Sequence, residues 1–100
     1  MLSEKKFKVG DFVIIKLING DELIATFFGQ DNGSISLKSI YRLEIRTLAK
    51  TGNSTVNFFP YIKATDMNEL LRCNVNQVFT VTLANDFFKE KYSEVLKKKK

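Results

Sequence analysis

The sequence predicts an all-β domain, a small, five-stranded, strongly bent antiparallel barrel followed by a short C-terminal helix. Three observations predict it. Apolar and polar residues alternate through most of the chain, which is the periodicity of half-buried strands. Two Asn-Gly dipeptides, Asn19-Gly20 and Asn32-Gly33, separate the first three alternating segments, as tight hairpin turns do. A helical apolar periodicity appears only near the end of the chain.

The first two strands form a predicted hairpin. Residues 12–18 (FVIIKLI) are rich in β-branched side chains, which favour strands. Residues 23–29 (LIATFFG) return after the turn at Asn19-Gly20, where both central residues of a type I′ turn need positive φ.

The third strand, residues 34–46, has the longest alternation in the chain. Five apolar residues fall on one predicted face, namely Ile35, Leu37, Tyr41, Leu43 and Ile45. At roughly 3.3 Å per residue a straight strand of this length would reach about 40 Å, which is too long for a small core. We therefore expect a sharp bend, of the kind that closes small barrels.

The fourth strand is predicted to be interrupted. Residues 55–59 (TVNFF) lead into Pro60, which lacks a ladder donor and therefore belongs on an edge or at a bulge. Residues 66–68 indicate a turn within an insertion, and residues 69–73 (ELLRC) the resumption of the strand. Residues 77–83 (QVFTVTL) form the last strand.

The closing helix can be capped by Asn85 or Asp86, whose short side-chain oxygens accept from the first free amides. Its apolar stripe consists of Phe88, Tyr92, Val95 and Leu96. The predicted organisation is a single domain over residues 1–100, with the barrel at about 9–84, the helix at about 86–96 and a basic tail at 97–100.

The net charge of +5 comes from the two ends of the chain. Residues 1–8 contribute +2 and residues 91–100 contribute +4, so the remainder carries −1. The lysine run at the end is interpreted first as a solvated tail. The alternative is a salt-sensitive arm that contacts phosphates without reading sequence.

The composition excludes several functions. The chain has no histidine, which removes most zinc sites and every mechanism that needs an imidazole base. Its lone cysteine, Cys73, suits a reducing compartment, so we expect the cytoplasm of a bacterium or of a phage-infected host cell. No apolar run approaches the roughly 20 residues of a membrane helix. We therefore expect no enzyme, no cofactor, no metal, no small-molecule substrate and no membrane contact.

Two strand edges are predicted to stay open, that of the strand bearing Pro60 and that of the last strand. A free five-stranded barrel of this size is only marginally stable. Pairing of edges between copies covers both edges, so the predicted partner is a second copy of the chain.

Residues 13–39 (VIIKLINGDELIATFFGQDNGSISLKS) resemble the first motif of the Sm and Sm-like (Lsm, Hfq) proteins. The matching positions are Leu17, Gly20, Leu23, Phe27, Ile35 and Leu37. Residues 69–83 (ELLRCNVNQVFTVTL) can be laid over the second motif, with Cys73 where that family prefers glycine. The resemblance implies the Sm-like, SH3-like barrel.

A closer likeness is to the short Sm-like proteins of tailed phages. It consists of KLINGDE at 16–22, FFPY at 58–61 and a closing helix that ends near Tyr92. This likeness implies a lengthened fourth strand that includes residues 66–69, and it makes the match of residues 72–74 to the RNA motif accidental.

Sm-like proteins form head-to-tail rings in which the fourth strand of one subunit pairs with the fifth strand of the next. The resemblance therefore implies an oligomer interface at Val56, Phe58, Phe59, Leu71, Phe79 and Val81. The alternative is that the phenylalanines fill the subunit's own core. The sequence favours neither alternative for Phe59, and it favours the core for Phe79.

RNA-binding members hold a base with an acid and an asparagine after the second strand, together with an arginine-glycine pair. Here the acid position falls on Gln30 or Asp31 and the asparagine position on Ser34. Gln30, Ser34 and Asn74 can hydrogen-bond a base edge, and Arg72 can contact phosphate or stack. Turn residues and a solvated arginine are the favoured interpretation of these positions.

The sequence thus leads to a non-catalytic, ring-forming Sm-like assembly or adaptor module of the phage-encoded type. The alternative is an Sm-like protein that binds single-stranded RNA at the ring rim. A third hypothesis is a monomeric SH3-like domain that binds a peptide on its exposed edge.

Overall fold

Six strands and one helix make up residues 7–61 and 69–98, the part of the chain that the computed structural model describes. They are β1 (Phe12–Leu17), β2 (Glu22–Gln30), β3 (Ser34–Thr47), β4 (Ser54–Pro60), β5 (Leu71–Asn74), β6 (Val78–Leu83) and α1 (Asp86–Lys98). A 3₁₀ turn, Val75–Gln77, joins β5 to β6. The predicted class is confirmed, because a strongly curled antiparallel sheet carries one C-terminal helix.

The strands are ordered β4-β3-β2-β1-β6, and β5 also pairs with β3. Each pairing is antiparallel. Between β1 and β2 the predicted tight turn is present, but it is not of the predicted type I′, because Gly20 has a positive φ and Asn19 does not. Gly20 has φ 99°, which a residue without Cβ adopts at no steric cost. Its amide donates to the Leu17 carbonyl oxygen at 3.0 Å.

β3 bends at Ser39, whose φ of 54° lies in the left-handed region. Before the bend Leu37 faces one core, and after it Tyr41 faces another. The prediction that Ile35, Leu37, Tyr41, Leu43 and Ile45 share one face is therefore wrong. A left-handed residue interrupts the strand's period of two, so residues of the same parity change sides.

β4 and β5 follow one another along the same edge of β3. β4 pairs with Tyr41–Thr47, and β5 pairs with Ser34–Leu37. The predicted resumption of the fourth strand is thus confirmed, and it is the reason that six strands are counted where five are predicted. The turn predicted at residues 66–68 lies outside the described residues.

Two apolar cores lie on opposite faces of the sheet. The inner core, enclosed by the curled sheet, contains Val13, Ile15, Leu17, Leu23, Ala25, Phe27, Ile35, Leu37, Ile40 and Val81. The helix-side core, between the sheet and α1, is built around Ile24, Tyr41, Leu43, Ala84 and Tyr92. The central strands are therefore buried on both faces, which explains why β1 is almost continuously apolar.

α1 begins under the predicted cap, because the Asn85 Oδ1 accepts from the Phe88 amide at 3.0 Å. The helix extends two residues beyond its predicted end, so Lys97 and Lys98 belong to it. The prediction that the tail begins at residue 97 is wrong for these two residues, and the rest of the lysine run lies outside the described residues.

Tyr92 fastens α1 to the bend in β3. Its hydroxyl donates to the Ser39 carbonyl oxygen at 2.8 Å and lies 2.9 Å from the Thr26 Oγ1. Its ring is fully buried and packs edge-on against Phe12, with ring centroids 4.7 Å apart. The helix is thus attached at the position where the strand changes direction.

We expect Tyr92→Phe to lower the free energy of unfolding by about 1–3 kcal/mol, because it leaves the part-buried carbonyl oxygen of Ser39 without this donor. Chemical denaturation followed by circular dichroism measures the change. Tyr41→Phe is the matched control, because the buried Tyr41 hydroxyl has no hydrogen-bond partner among the described residues. That substitution leaves stability unchanged or raises it. Equal losses in both variants would contradict the role of the Tyr92 hydroxyl.

Candidate functional site

The curled sheet has two edges that no strand of the described residues covers. β4 and β5, which both pair only with β3, form one edge, and β6 forms the other. β4 (STVNFFP) and β6 (VFTVTL) contain no charged residue, although 27% of the chain is charged, whereas β5 (LRCN) contains Arg72. Edge strands of monomeric proteins are commonly protected by lysines, prolines or bulges. Apart from Pro60 at the end of β4 and one bulge in β6, these two strands lack such protection.

The outward main-chain groups of β6 follow from one hydrogen bond. The Ala84 amide donates to the Phe12 carbonyl oxygen at 3.0 Å, so this pair of residues is hydrogen-bonded. Because bonding alternates along antiparallel strands, Thr82 then bonds to β1. The N–H and C=O groups of Val81 and Leu83 therefore point away from the sheet.

The same alternation places outward groups on β4. The Tyr61 amide donates to the Ile40 carbonyl oxygen at 3.0 Å, so the main-chain groups of Val56 and Phe58 point away from β3. Pro60 also occupies an outward position, where its missing N–H costs no bond with β3. Both edges thus offer main-chain donors and acceptors at every second residue.

Two of the residues predicted at an oligomer interface, Phe79 and Val81, differ from expectation in their burial. Phe79, for which the core was favoured, is 69% exposed, so that preference is wrong. Val81 is buried in the inner core, and only its main chain is available to a partner. The cause is a β-bulge, in which Lys16 pairs with Thr80 and the next residue of β1 pairs with Val78. Phe79 is the extra residue and points outward.

The other predicted interface residues divide between the cores and the surface. Phe58 packs edge-on against Tyr41, and Val56 packs against the helix-side core. Leu71 packs against the inner core. Phe59 is 37% exposed, and the Arg42 guanidinium lies 5.0 Å from the centroid of its ring.

The structure brings together the four residues predicted to contact RNA. Ser34 pairs with Asn74 across β3 and β5, and Arg72 pairs with Ser36, two residues further along β3. Gln30 ends β2 at the same turn. We call these four residues together with Asp31 the loop cluster.

Asp31 is the centre of the loop cluster. Its carboxylate accepts from the Gly33 amide at 3.2 Å, and from the Ser34 amide and hydroxyl at 3.1 and 3.0 Å. The Arg72 guanidinium donates to its other oxygen at 2.7 Å. The sequence allowed an acid at this position but gave no indication of the ion pair, because Arg72 is 41 residues away.

The pKa of Asp31 is lowered, first by the Gly33 amide and then by the hydroxyl and amide of Ser34. Arg72 contributes least, although its donor is the closest. Both members of the ion pair are exposed, with relative side-chain exposures of 66% and 58%, so water screens their attraction. The turn itself therefore accounts for most of the preference for the charged carboxylate.

Other side chains of the loop cluster are also engaged. The Asn74 Oδ1 accepts from the Asn76 amide at 2.8 Å and caps the 3₁₀ turn. Cys73, which lies between Arg72 and Asn74 in β5, is half-buried, and burial raises the pKa of its thiol. This environment agrees with the predicted inert thiol.

A shallow groove of about 200 Å³ lies beside the start of α1. Its lining is mainly apolar, with Ile14, Leu43 and Phe88 among the side chains and Glu22 as the one carboxylate. Sites for small molecules are usually larger, on the order of 300–1,000 Å³. In residues 7–61 and 69–98, no group of three or more acidic or cysteine side chains is placed to hold a metal ion. No helix in these residues has the length and hydropathy to cross a membrane.

Comparison with models of known protein families gives no match for this chain, and comparison with curated protein sequences gives none either.

We expect Ser34→Ala to raise the pKa of Asp31 more than Arg72→Ala does, because the hydroxyl bond outweighs the screened ion pair. NMR titration of the Asp31 carboxyl carbon measures both shifts. The depressed pKa means that the turn keeps its hydrogen bonds to a charged carboxylate below the ordinary carboxyl range, and it loses them as the pH falls through the folded pKa. A larger shift in Arg72→Ala would contradict this order.

Proposed function

We propose that this chain is a non-catalytic module of the Sm-like kind that assembles with copies of itself into a ring and acts as an assembly or adaptor unit. The observation that carries the proposal is the pair of uncharged edges, of seven residues in β4 and six in β6, with outward main-chain groups. A cytoplasmic, phage-type setting is part of the proposal, and the single cysteine is consistent with it.

A ring follows from the difference between the two edges. β4 and β6 lie at opposite ends of the strand order, so a contact of β4 with β6 joins unlike surfaces. Such a heterologous contact generates a ring if its rotation closes. Pairing of β6 with β6 would instead produce a dimer that leaves both β4 edges exposed. Only the first arrangement covers both the β4 edge and the β6 edge with one kind of contact.

We expect the wild-type chain to form an oligomer of more than two subunits and Leu83→Pro to dissociate it. The substitution removes an outward N–H and places a ring in the contact, while the bonds of β6 to β1 stay intact. Size-exclusion chromatography with light scattering measures the mass, and circular dichroism verifies that the variant folds.

Leu83→Ala is the matched control, because it removes the same half-exposed side chain but retains the N–H. It keeps the oligomer. A wild-type chain that remains a single subunit at high concentration would overturn the proposal, as would a folded Leu83→Pro variant of unchanged mass.

A second candidate function is binding of single-stranded RNA. The observation that favours it is the convergence of Gln30, Ser34, Arg72 and Asn74 at one end of β3. The ion pair of Arg72 with Asp31 is exposed and therefore weak, so a phosphate can compete for the guanidinium. In this proposal Arg72 contacts the backbone, and the amide and hydroxyl groups contact base edges.

If the loop cluster binds RNA, titration with labelled oligo-U and oligo-A at two salt concentrations gives saturable, base-selective binding that Arg72→Ala abolishes. Arg46→Ala is the control, because Arg46 is equally exposed and its side chain also lies beside a carboxylate, that of Glu44 at 3.5 Å. A signal without base preference, lost when residues 97–100 are deleted, would contradict the proposal and identify a non-specific basic end.

A further inference from the structure

We infer that Phe79 is the side chain by which one copy holds the next, and that it packs on the Arg42–Phe59 pair of the neighbouring copy. The inference rests on the proposed oligomer and specifies its central contact. It joins the β6 edge, where Phe79 lies, to the β4 edge, where Phe59 lies.

The backbone of β6 holds Phe79 outward. Phe79 is the extra residue of the β-bulge opposite Lys16, which turns it out of the inner core while Val78 packs against that core. It is the most exposed large apolar side chain of the described residues. Bulges of edge strands redirect individual side chains. A large ring fixed in this way loses little conformational freedom on contact, which is typical of residues that dominate binding energy.

The β4 edge offers a matching acceptor. The Arg42 guanidinium lies over one face of the Phe59 ring, 5.0 Å from its centroid. A planar cation of this kind attracts the face of an aromatic ring and can stack between two of them. Arg42 forms no ion pair in residues 7–61 and 69–98, whereas Arg46 lies beside Glu44. The cation over Phe59 is therefore available to a second ring.

A second copy is the occupant that fits best. The strands β4 and β6 are nearly equal in length, contain no charged residue and present main-chain groups at the same spacing of two residues. The exposed ring and the cation that attracts it occur on opposite edges of one chain, so head-to-tail contact uses both in every copy. A peptide of another protein would use only one edge and leave the other uncovered.

Phe87 provides a matched control. It is also an exposed phenylalanine, at 50%, and it also has a cation near its ring, with the Lys91 Nζ 5.8 Å from the centroid. However, it lies on α1 and on neither edge. A loss of assembly in Phe79→Ala but not in Phe87→Ala therefore shows that assembly depends on the position of Phe79 at the β6 edge and not on exposed apolar area alone.

Sedimentation equilibrium of the full chain tests the inference. We expect Phe79→Ala to raise the dissociation constant of the subunit contact about tenfold or more, and Phe87→Ala to change it by less than about twofold. Circular dichroism of each variant verifies the fold. Phe59→Ala and Arg42→Ala are then combined with Phe79→Ala. Residues in contact are not additive, so each double variant weakens assembly by less than the product of its two single effects.

The outcomes separate the two proposals. A wild-type chain that stays a single subunit overturns the proposed oligomer and this inference with it. A wild-type oligomer that Phe79→Ala leaves unchanged overturns the inference alone. Multiplicative effects of Phe79→Ala with both Phe59→Ala and Arg42→Ala also overturn it, because they exclude the proposed contact between the edges. Coupled effects with an unaffected Phe87→Ala variant support it.

Discussion

The left-handed backbone at Ser39 is the constraint on which the rest of the structure depends. With φ at 54°, this residue turns β3 so that one strand pairs with β5 before the bend and with β4 after it. A residue with a Cβ in this conformation costs about 1–2 kcal/mol. The Tyr92 hydroxyl, which donates to the Ser39 carbonyl oxygen at 2.8 Å, offsets part of that cost. The contact that attaches α1 to the sheet therefore also stabilises the bend in β3.

The bend also determines which strands remain exposed. It curls the sheet around the inner core, but the strand order still ends at β4 and at β6. A fully closed barrel removes its edges, whereas this one keeps two. On β6 the bulge gives Val78 the inward place of Phe79, so the core stays filled while a large ring is presented to solvent. The feature that completes packing within the subunit thus also creates its most exposed apolar side chain.

The sequence predicts the parts of this fold that local chemistry determines. Asn19-Gly20 indicates the position of the first turn although not its type, Asn85 caps α1, and Pro60 indicates an edge. The length of the third strand predicts that it bends, but the sequence does not reveal that the bend lies at Ser39, because no glycine or proline marks the position and the alternation continues through it. The sequence does not reveal the bulge at Phe79 either, because a shift of register depends on how two strands pair and cannot be seen in one strand alone. For the site, the resemblance to the Sm motifs implies the convergence of Gln30, Ser34, Arg72 and Asn74, whereas nothing in the sequence indicates the ion pair, which joins residues far apart in the chain.

The loop cluster and the outer edges of β4 and β6 differ in how many of their hydrogen-bonding groups already have a partner within the subunit. In the loop cluster, the Asp31 carboxylate accepts from two amides, a hydroxyl and a guanidinium, and the Asn74 side chain caps a turn. A ligand there must replace contacts that the subunit already makes. The outward main-chain groups of β4 and β6 meet no strand of the described residues, and neither strand contains a charged residue of its own. Pairing at the edges therefore adds hydrogen bonds and apolar burial without breaking any contact within the subunit, and this difference favours assembly over RNA recognition as the function of the fold.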